Sequence, residues 1–373
     1  MLSRRNLIKA AGLGAAAAAS SVSFPTLPSW AAPPRVRSAN GPILLDSNEN
    51  AYGPFPSVLA LGNPFMEINR YPDRYCQEMQ ERLAGKYKVE PSRILLGCGS
   101  TEILRMAANA FTGPGKTIIR SAPTFEGISE YGQIVGARTI EIPLASNFCH
   151  DLGAMLKAAG PETGLIYLCN PNNPTGNITP RADIEDFLSK LPKNIHVVID
   201  EAYYDFVSPG VDYISFLDRP VEDERLIVSR TFSKIYALAG MRLGYAVVST
   251  STAKHMLEQK LKDNINAFVL HCALTSLSDE TSYRIAQQRN AADRDEFTRQ
   301  AIARNLSVIP SSTNFVMLNT NMPVQKAIAH FQKNKIEIGR PFPPLNTYAR
   351  ISLGKPDEMK EFWRVWDLQE LPS

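Results

Sequence analysis

The sequence predicts an α/β fold in which a mainly parallel sheet is covered by helices and joined to a second, smaller α/β domain. Between Pro91 and Val248, short β-rich runs alternate with helical patterns, the order that parallel strands linked by crossover helices require. Two of those runs, Val197-Val198-Ile199 and Leu226-Ile227-Val228, are continuously apolar, as strands buried on both faces must be. After a stretch from Ser251 to Asn305 that contains neither Pro nor Gly, a shorter α/β pattern resumes at Val308.

Taken in chain order, the first 31 residues carry Arg4, Arg5 and Lys9 as their only charges. An alanine- and glycine-rich run from Ala10 to Ser20 follows, and Ser29-Trp30-Ala31 offers a small-x-small cleavage site. This segment, 1–31, resembles a twin-arginine export signal and implies a periplasmic or otherwise exported protein that meets a membrane only in transit. An uncleaved anchor, or a plain alanine-rich N-terminus with two arginines, stays open. Without the leader, 40 basic residues become 37 against 37 acidic, so no basic excess points to nucleic acid. The odd, widely spaced cysteines at 76, 98, 149, 169 and 272 have no metal or disulfide spacing and read as small apolar residues.

The segment 32–70 reads as an N-terminal arm with part of the small domain, 71–285 as the large domain and 286–373 as the rest of the small domain. Strands are expected at Ile94–Leu96, Thr117–Ser121, Leu165–Cys169, His196–Asp200, Leu226–Ser229 and Gly244–Val248. One or two long helices should fill Ser251–Asn305, before strands at Asn314–Leu318 and Ala349–Leu353.

In such sheets the chemistry collects at the C-terminal ends of strands. Gly97-Cys98-Gly99-Ser100-Thr101-Glu102 is a glycine turn opening a helix, and the amides of Ser100, Thr101 and Glu102 could meet a phosphate there. An ordinary strand-to-helix turn would use the same residues. Phe125, after Pro123-Thr124, could stack on a flat ring or simply fill core. Asn170-Pro171-Asn172-Asn173-Pro174-Thr175-Gly176 is a dense turn signal. Asp200 ends an apolar strand, where a carboxylate needs a partner or caps a turn. Arg230-Thr231-Phe232-Ser233-Lys234, followed by Gly240-Met241-Arg242, puts a lysine able to join covalently to an aldehyde among phosphate-binding types: the Thr231 and Ser233 hydroxyls and the Arg242 fork.

Together with Ser47 to Pro54, Arg70-Tyr71-Pro72-Asp73 and Arg350-Ile351-Ser352-Leu353-Gly354, these motifs resemble the fold-type I pyridoxal-phosphate aminotransferases of classes I and II, especially the histidinol-phosphate aminotransferase group, over residues 43 to 368. The resemblance implies a homodimer with shared active sites, acting on a small amino acid and a 2-oxo acid. Lys234 would hold pyridoxal 5′-phosphate and shuttle the substrate proton. Asp200 would keep the ring nitrogen protonated, Tyr203 and Asn173 would bond the ring's phenolic oxygen, and Phe125 would stack on the ring where the family usually has tyrosine. Ser100, Thr101, Thr231, Ser233 and Arg242 would hold the phosphate, with Tyr52 from a second subunit. Arg350 would take the substrate carboxylate, with Asn50 beside it and Arg340 on a distal phosphate, although Pro341-Phe342-Pro343-Pro344 departs from that group's pattern. A phosphothreonine-type decarboxylase, and an exported cofactor-binding protein without turnover, share enough of the pattern to stand as alternatives.

Overall fold

The computed structural model describes residues 41–62, 69–211, 213–220 and 223–369; the leader at 1–31 lies outside them. In chain order the elements begin with β1 (Ile43–Leu45), α1 (Pro56–Leu59), α2 (Asp73–Tyr87), β2 (Ile94–Gly97), α3 (Ser100–Phe111), β3 (Thr117–Ala122), α4 (Gly127–Ile134), β4 (Arg138–Pro143), α5 (Leu152–Ala158) and β5 (Thr163–Cys169). There follow α6 (Arg181–Lys190), β6 (His196–Asp200), β7 (Leu226–Thr231), β8 (Gly244–Val247), α7 (Thr250–Leu257), α8 (Ala267–Ser278) and α9 (Glu280–Ile302). The chain closes with β9 (Val308–Ile309), β10 (Phe315–Asn319), α10 (Val324–Lys333), β11 (Ile336–Ile338), β12 (Tyr348–Ser352) and α11 (Pro356–Trp366).

Seven strands form one sheet in the order β2-β8-β7-β6-β5-β3-β4, with β8 antiparallel to both neighbours and the other pairings parallel. Side chains alternate between its faces, so Ile166, Leu168, Val197, Ile199 and Val228 enter one apolar cluster while Leu165, Tyr167, Val198 and Ile227 enter another. Both faces are covered, which is why these strands are apolar throughout. The edge strand β4 escapes the sequence reading because it alternates between exposed and half-buried residues and lacks such a run.

Ser251–Asn305 forms three helices rather than one or two. Asn266 accepts the Val269 amide and Asp279 accepts the Ser282 amide, and each side chain starts a new helix by capping it. The boundary placed at 285/286 falls inside α9, so an unbroken helix carries the chain from one sheet toward the next. Beyond it, β12, β10 and β9 form an antiparallel sheet, and β1 pairs in parallel with β11, bringing the N-terminal segment to the C-terminal module. Phe362, Trp363 and Trp366 of α11 pack there with Phe297 and Phe331. From Pro42 onward the chain is one compact unit.

Candidate active site

A phosphate seat is built where β2 turns into α3. Gly99 has φ +78°, and a Cβ there would run into the Arg242 guanidinium; a Cβ on Gly244 would strike the Ser100 backbone. These two glycines let Arg242 and the first turn of α3 close around one spot. Arg242 donates to Thr101 Oγ1 (3.2 Å) and to Ser233 Oγ (3.4 Å), and Thr231 Oγ1 donates to Ser233 Oγ (3.0 Å). Three hydroxyls, a guanidinium and the N-terminus of a 12-residue helix thus converge, a constellation suited to a dianion.

Asp200 ends β6 in full burial, receiving Tyr167 Oη (2.8 Å), Ser229 Oγ (2.9 Å) and the Ala202 amide (3.2 Å). Burial raises its pKa and the Tyr167 and Ser229 bonds oppose that rise. Its three donors are all neutral, so a carboxylate is held without a cation among them. A protonated ring nitrogen is the partner this arrangement suits.

Lys234 Nζ lies 5.4 Å from the centre of the Tyr203 ring and donates to the carbonyls of Asn48 (3.1 Å) and Ser47 (3.4 Å). Burial, then the positive charge of Arg350, lowers its pKa to about 8. The Tyr203 hydroxyl accepts from Asn48 Nδ2 (3.1 Å), and burial pushes its pKa up. Arg350 reaches into the same space from β12. Its Nη groups donate to Asn173 Oδ1 (2.7 Å) and the Asp46 carbonyl (2.5 Å), while its buried Nε has no partner among the described residues. Burial lowers the Arg350 pKa to about 10.

Fold and site together define a fold-type I transferase that works with pyridoxal phosphate. Residues 40–365 match the model of the family described as Aminotransferase class I and II, and the chain belongs to that family. It is 34% identical over 325 residues to the histidinol-phosphate aminotransferase of Moorella thermoacetica, covering 87% of this chain and 84% of that protein. Against histidinol-phosphate aminotransferase 2 of Ralstonia nicotianae the identity is 37% over 325 residues, with 85% of each chain covered. The solved structure of the histidinol-phosphate aminotransferase of Sinorhizobium meliloti in complex with pyridoxal-5′-phosphate superposes with a TM-score of 0.81 at 26% identity, over 87% of this chain and 90% of that one. The protein is a pyridoxal-phosphate-dependent aminotransferase, and the phosphate seat, the cation-free Asp200 and the orphaned Arg350 Nε fit that cofactor and a carboxylate substrate.

Thr101, Thr231, Ser233 and Arg242 are joined by hydrogen bonds with the Ser100 backbone close to Gly244, Lys234 lies over the Tyr203 ring, Arg350 holds Asn173, Asp200 ends β6 beside β7, and half-buried Phe125 lies just beyond β3. Glu102, Asn50, Tyr52 and Arg340 have partners within the chain. The Glu102 amide donates to the Gly99 carbonyl (3.2 Å), and its carboxylate turns to the Cys98 amide and Asn264 Nδ2, both at 2.6 Å, bracing the loop behind the seat. Asn50 spends its amide on the Ile235 carbonyl (2.9 Å) and the Tyr52 amide (3.1 Å), latching the arm beside Lys234. Tyr52 donates its hydroxyl to Asp293 of its own chain (2.9 Å). Arg340 is paired with Glu126 at 2.5 Å.

Sequence reasoning missed the groups that hold these in place. Tyr167 and Ser229 face Asp200 from β5 and β7, and only strand register reveals that they do. Asn48, at φ 54°, binds Tyr203 and Lys234 and exchanges bonds with Ser352 Oγ (2.8 and 3.0 Å). Its position inside the Ser47-Asn48-Glu49-Asn50 motif is the signal that could have found it.

Proposed function

We propose that the chain moves an amino group between an amino acid and a 2-oxo acid, with Arg350 receiving the substrate's carboxylate. The observation that carries this reading is Arg350 itself: a buried guanidinium, oriented by Asn173 and the Asp46 carbonyl, whose Nε has no partner among the described residues. A carboxylate accepting from it would satisfy that donor as a charge-assisted pair. When bound, pyridoxal phosphate supplies an electron sink that makes the substrate's α-proton acidic. Lys234 Nζ, with its lowered pKa, takes and returns that proton. Asp200 holds positive charge at the ring nitrogen, and the Tyr203 hydroxyl and Asn173 orient the ring's oxygen.

The test is a half-reaction of purified holoprotein with single amino donors. Each productive donor should convert the cofactor absorbance to that of its amine form and release one equivalent of 2-oxo acid. Release of carbon dioxide instead would assign the protein to the lyases.

The same reading extends to a homodimer with shared sites and to export. The family match begins at residue 40, after the twin-arginine-like segment 1–31, which is the arrangement a removable leader would have. N-terminal sequencing of the periplasmic form should begin at residue 32; a start at Met1 would refute cleavage.

A further inference from the structure

The mouth of the site holds a charge pair that the family resemblance does not supply. Glu126 follows Phe125 in the turn between β3 and α4, and its carboxylate meets the Arg340 guanidinium at 2.5 Å. Arg340 also donates to the Pro341 carbonyl (3.1 Å) and lies 4.3 Å from the centre of the Phe342 ring. That ring has the Arg350 guanidinium 4.9 Å from its centre, so one buried aromatic side chain separates the two cations. A substrate whose carboxylate sits on Arg350 and whose side chain runs past Phe342 would reach Arg340 and Glu126. Phe342 packs on Ile309 and Met317, with Phe148, Leu345 and Tyr348 beside it, so the wall along that path is apolar.

We infer that Glu126 is a specificity-determining residue: by occupying Arg340 it makes the distal end of the site select substrates with an uncharged side chain over those with a second anionic group. The inference rests on the transaminase reading and on Arg350 as the carboxylate site. A distal carboxylate or phosphate must displace Glu126 from Arg340 and then lie beside a displaced anion, whereas a neutral group leaves the pair intact. Arg340 and Glu126 are 44% and 41% exposed, so the discrimination has the modest size of a solvent-screened pair.

Calorimetry on the holoenzyme at low ionic strength tests this with two non-reacting ligands that differ in distal charge, glutarate and its monoamide 4-carbamoylbutyrate. The wild type should bind the monoamide at least as tightly as the diacid. Glu126→Gln should tighten glutarate about fivefold and leave the monoamide within about twofold, and adding Arg340→Gln should remove the gain. An unchanged preference in Glu126→Gln, or a gain that survives loss of Arg340, would overturn the proposal. Failure of both ligands to bind wild type would refute the Arg350 reading beneath it, and holoenzyme that binds both yet converts no amino donor would refute transamination alone.

Discussion

Lys234 answers two opposed demands, since it must be neutral to act as a base yet an ordinary lysine keeps its charge at neutral pH. Burial and Arg350 lower its pKa to about 8 from an ordinary 10.5. The sign of the consequence follows from linkage: the cost of burying the protonated amine is absent above about pH 10.5, grows as pH falls through that window and is complete below about 8. Lys234→Met should therefore stabilise the apoprotein at pH 7 by roughly 1–3 kcal/mol after allowance for partial exposure, and not at pH 10.5, while abolishing activity. Denaturant melts at the two pH values check this. Asp200 has the reverse problem, because burial raises its pKa and the Tyr167 bond counters the rise. Tyr167→Phe removes a bond to a charged group worth about 1.5–3 kcal/mol, so cofactor dissociation constants from absorbance titration should rise ten- to a hundredfold.

At the scale of elements, the turn from β2 into α3 makes the phosphate seat, and Gly99 is its least replaceable residue. Gly99→Ala would combine a left-handed φ of +78° with a Cβ driven into Arg242. Cofactor affinity should fall at least a hundredfold, with much less change in folding, as read by cofactor titration beside the thermal midpoint; an affinity within threefold of wild type would mean the seat lies elsewhere. This turn was legible because its glycines and hydroxyls adjoin in sequence, and so was the motif around Lys234. Asp200 was legible only as a strand end and Arg350 only as a strand residue, and the partners of both lay far along the chain. The strand β4 was not, because an edge strand needs no apolar run, and the break between α7 and α8 was hidden because Asn266 caps without Gly or Pro. Tyr167 could not be distinguished from core tyrosines, since its role depends on β5 lying beside β6, a pairing fixed by tertiary structure. The partner of Arg340 was hidden for a related reason: Glu126 is 214 residues away.

Across the whole molecule, the reactive strand ends are tied together by a buried charge network beneath the site. Arg230, next to Thr231 in β7, donates to Glu201 (2.9 Å) and Asp205 (3.1 Å), and all three are buried. Glu201 further accepts from Tyr213, Ser215 and the Phe216 amide, while Tyr283 of α9 donates to Asp205 at 2.7 Å. The network thus connects the strand carrying Asp200, the strand leading to Lys234 and the long helix that runs toward the C-terminal module. Removing its single cation would leave two carboxylates in a low-dielectric interior, where unpaired charge is far more costly than a pair is favourable. Arg230→Met should lower unfolding free energy by about 3–5 kcal/mol, measured by urea melts of the apoprotein. Adding Glu201→Gln and Asp205→Asn to Arg230→Met should recover much of that loss, because each carboxylate is then replaced by a neutral hydrogen-bonding group. A triple variant no more stable than Arg230→Met alone would show that Arg230 contributes packing rather than charge, and that the strand ends are aligned by the apolar sheet alone.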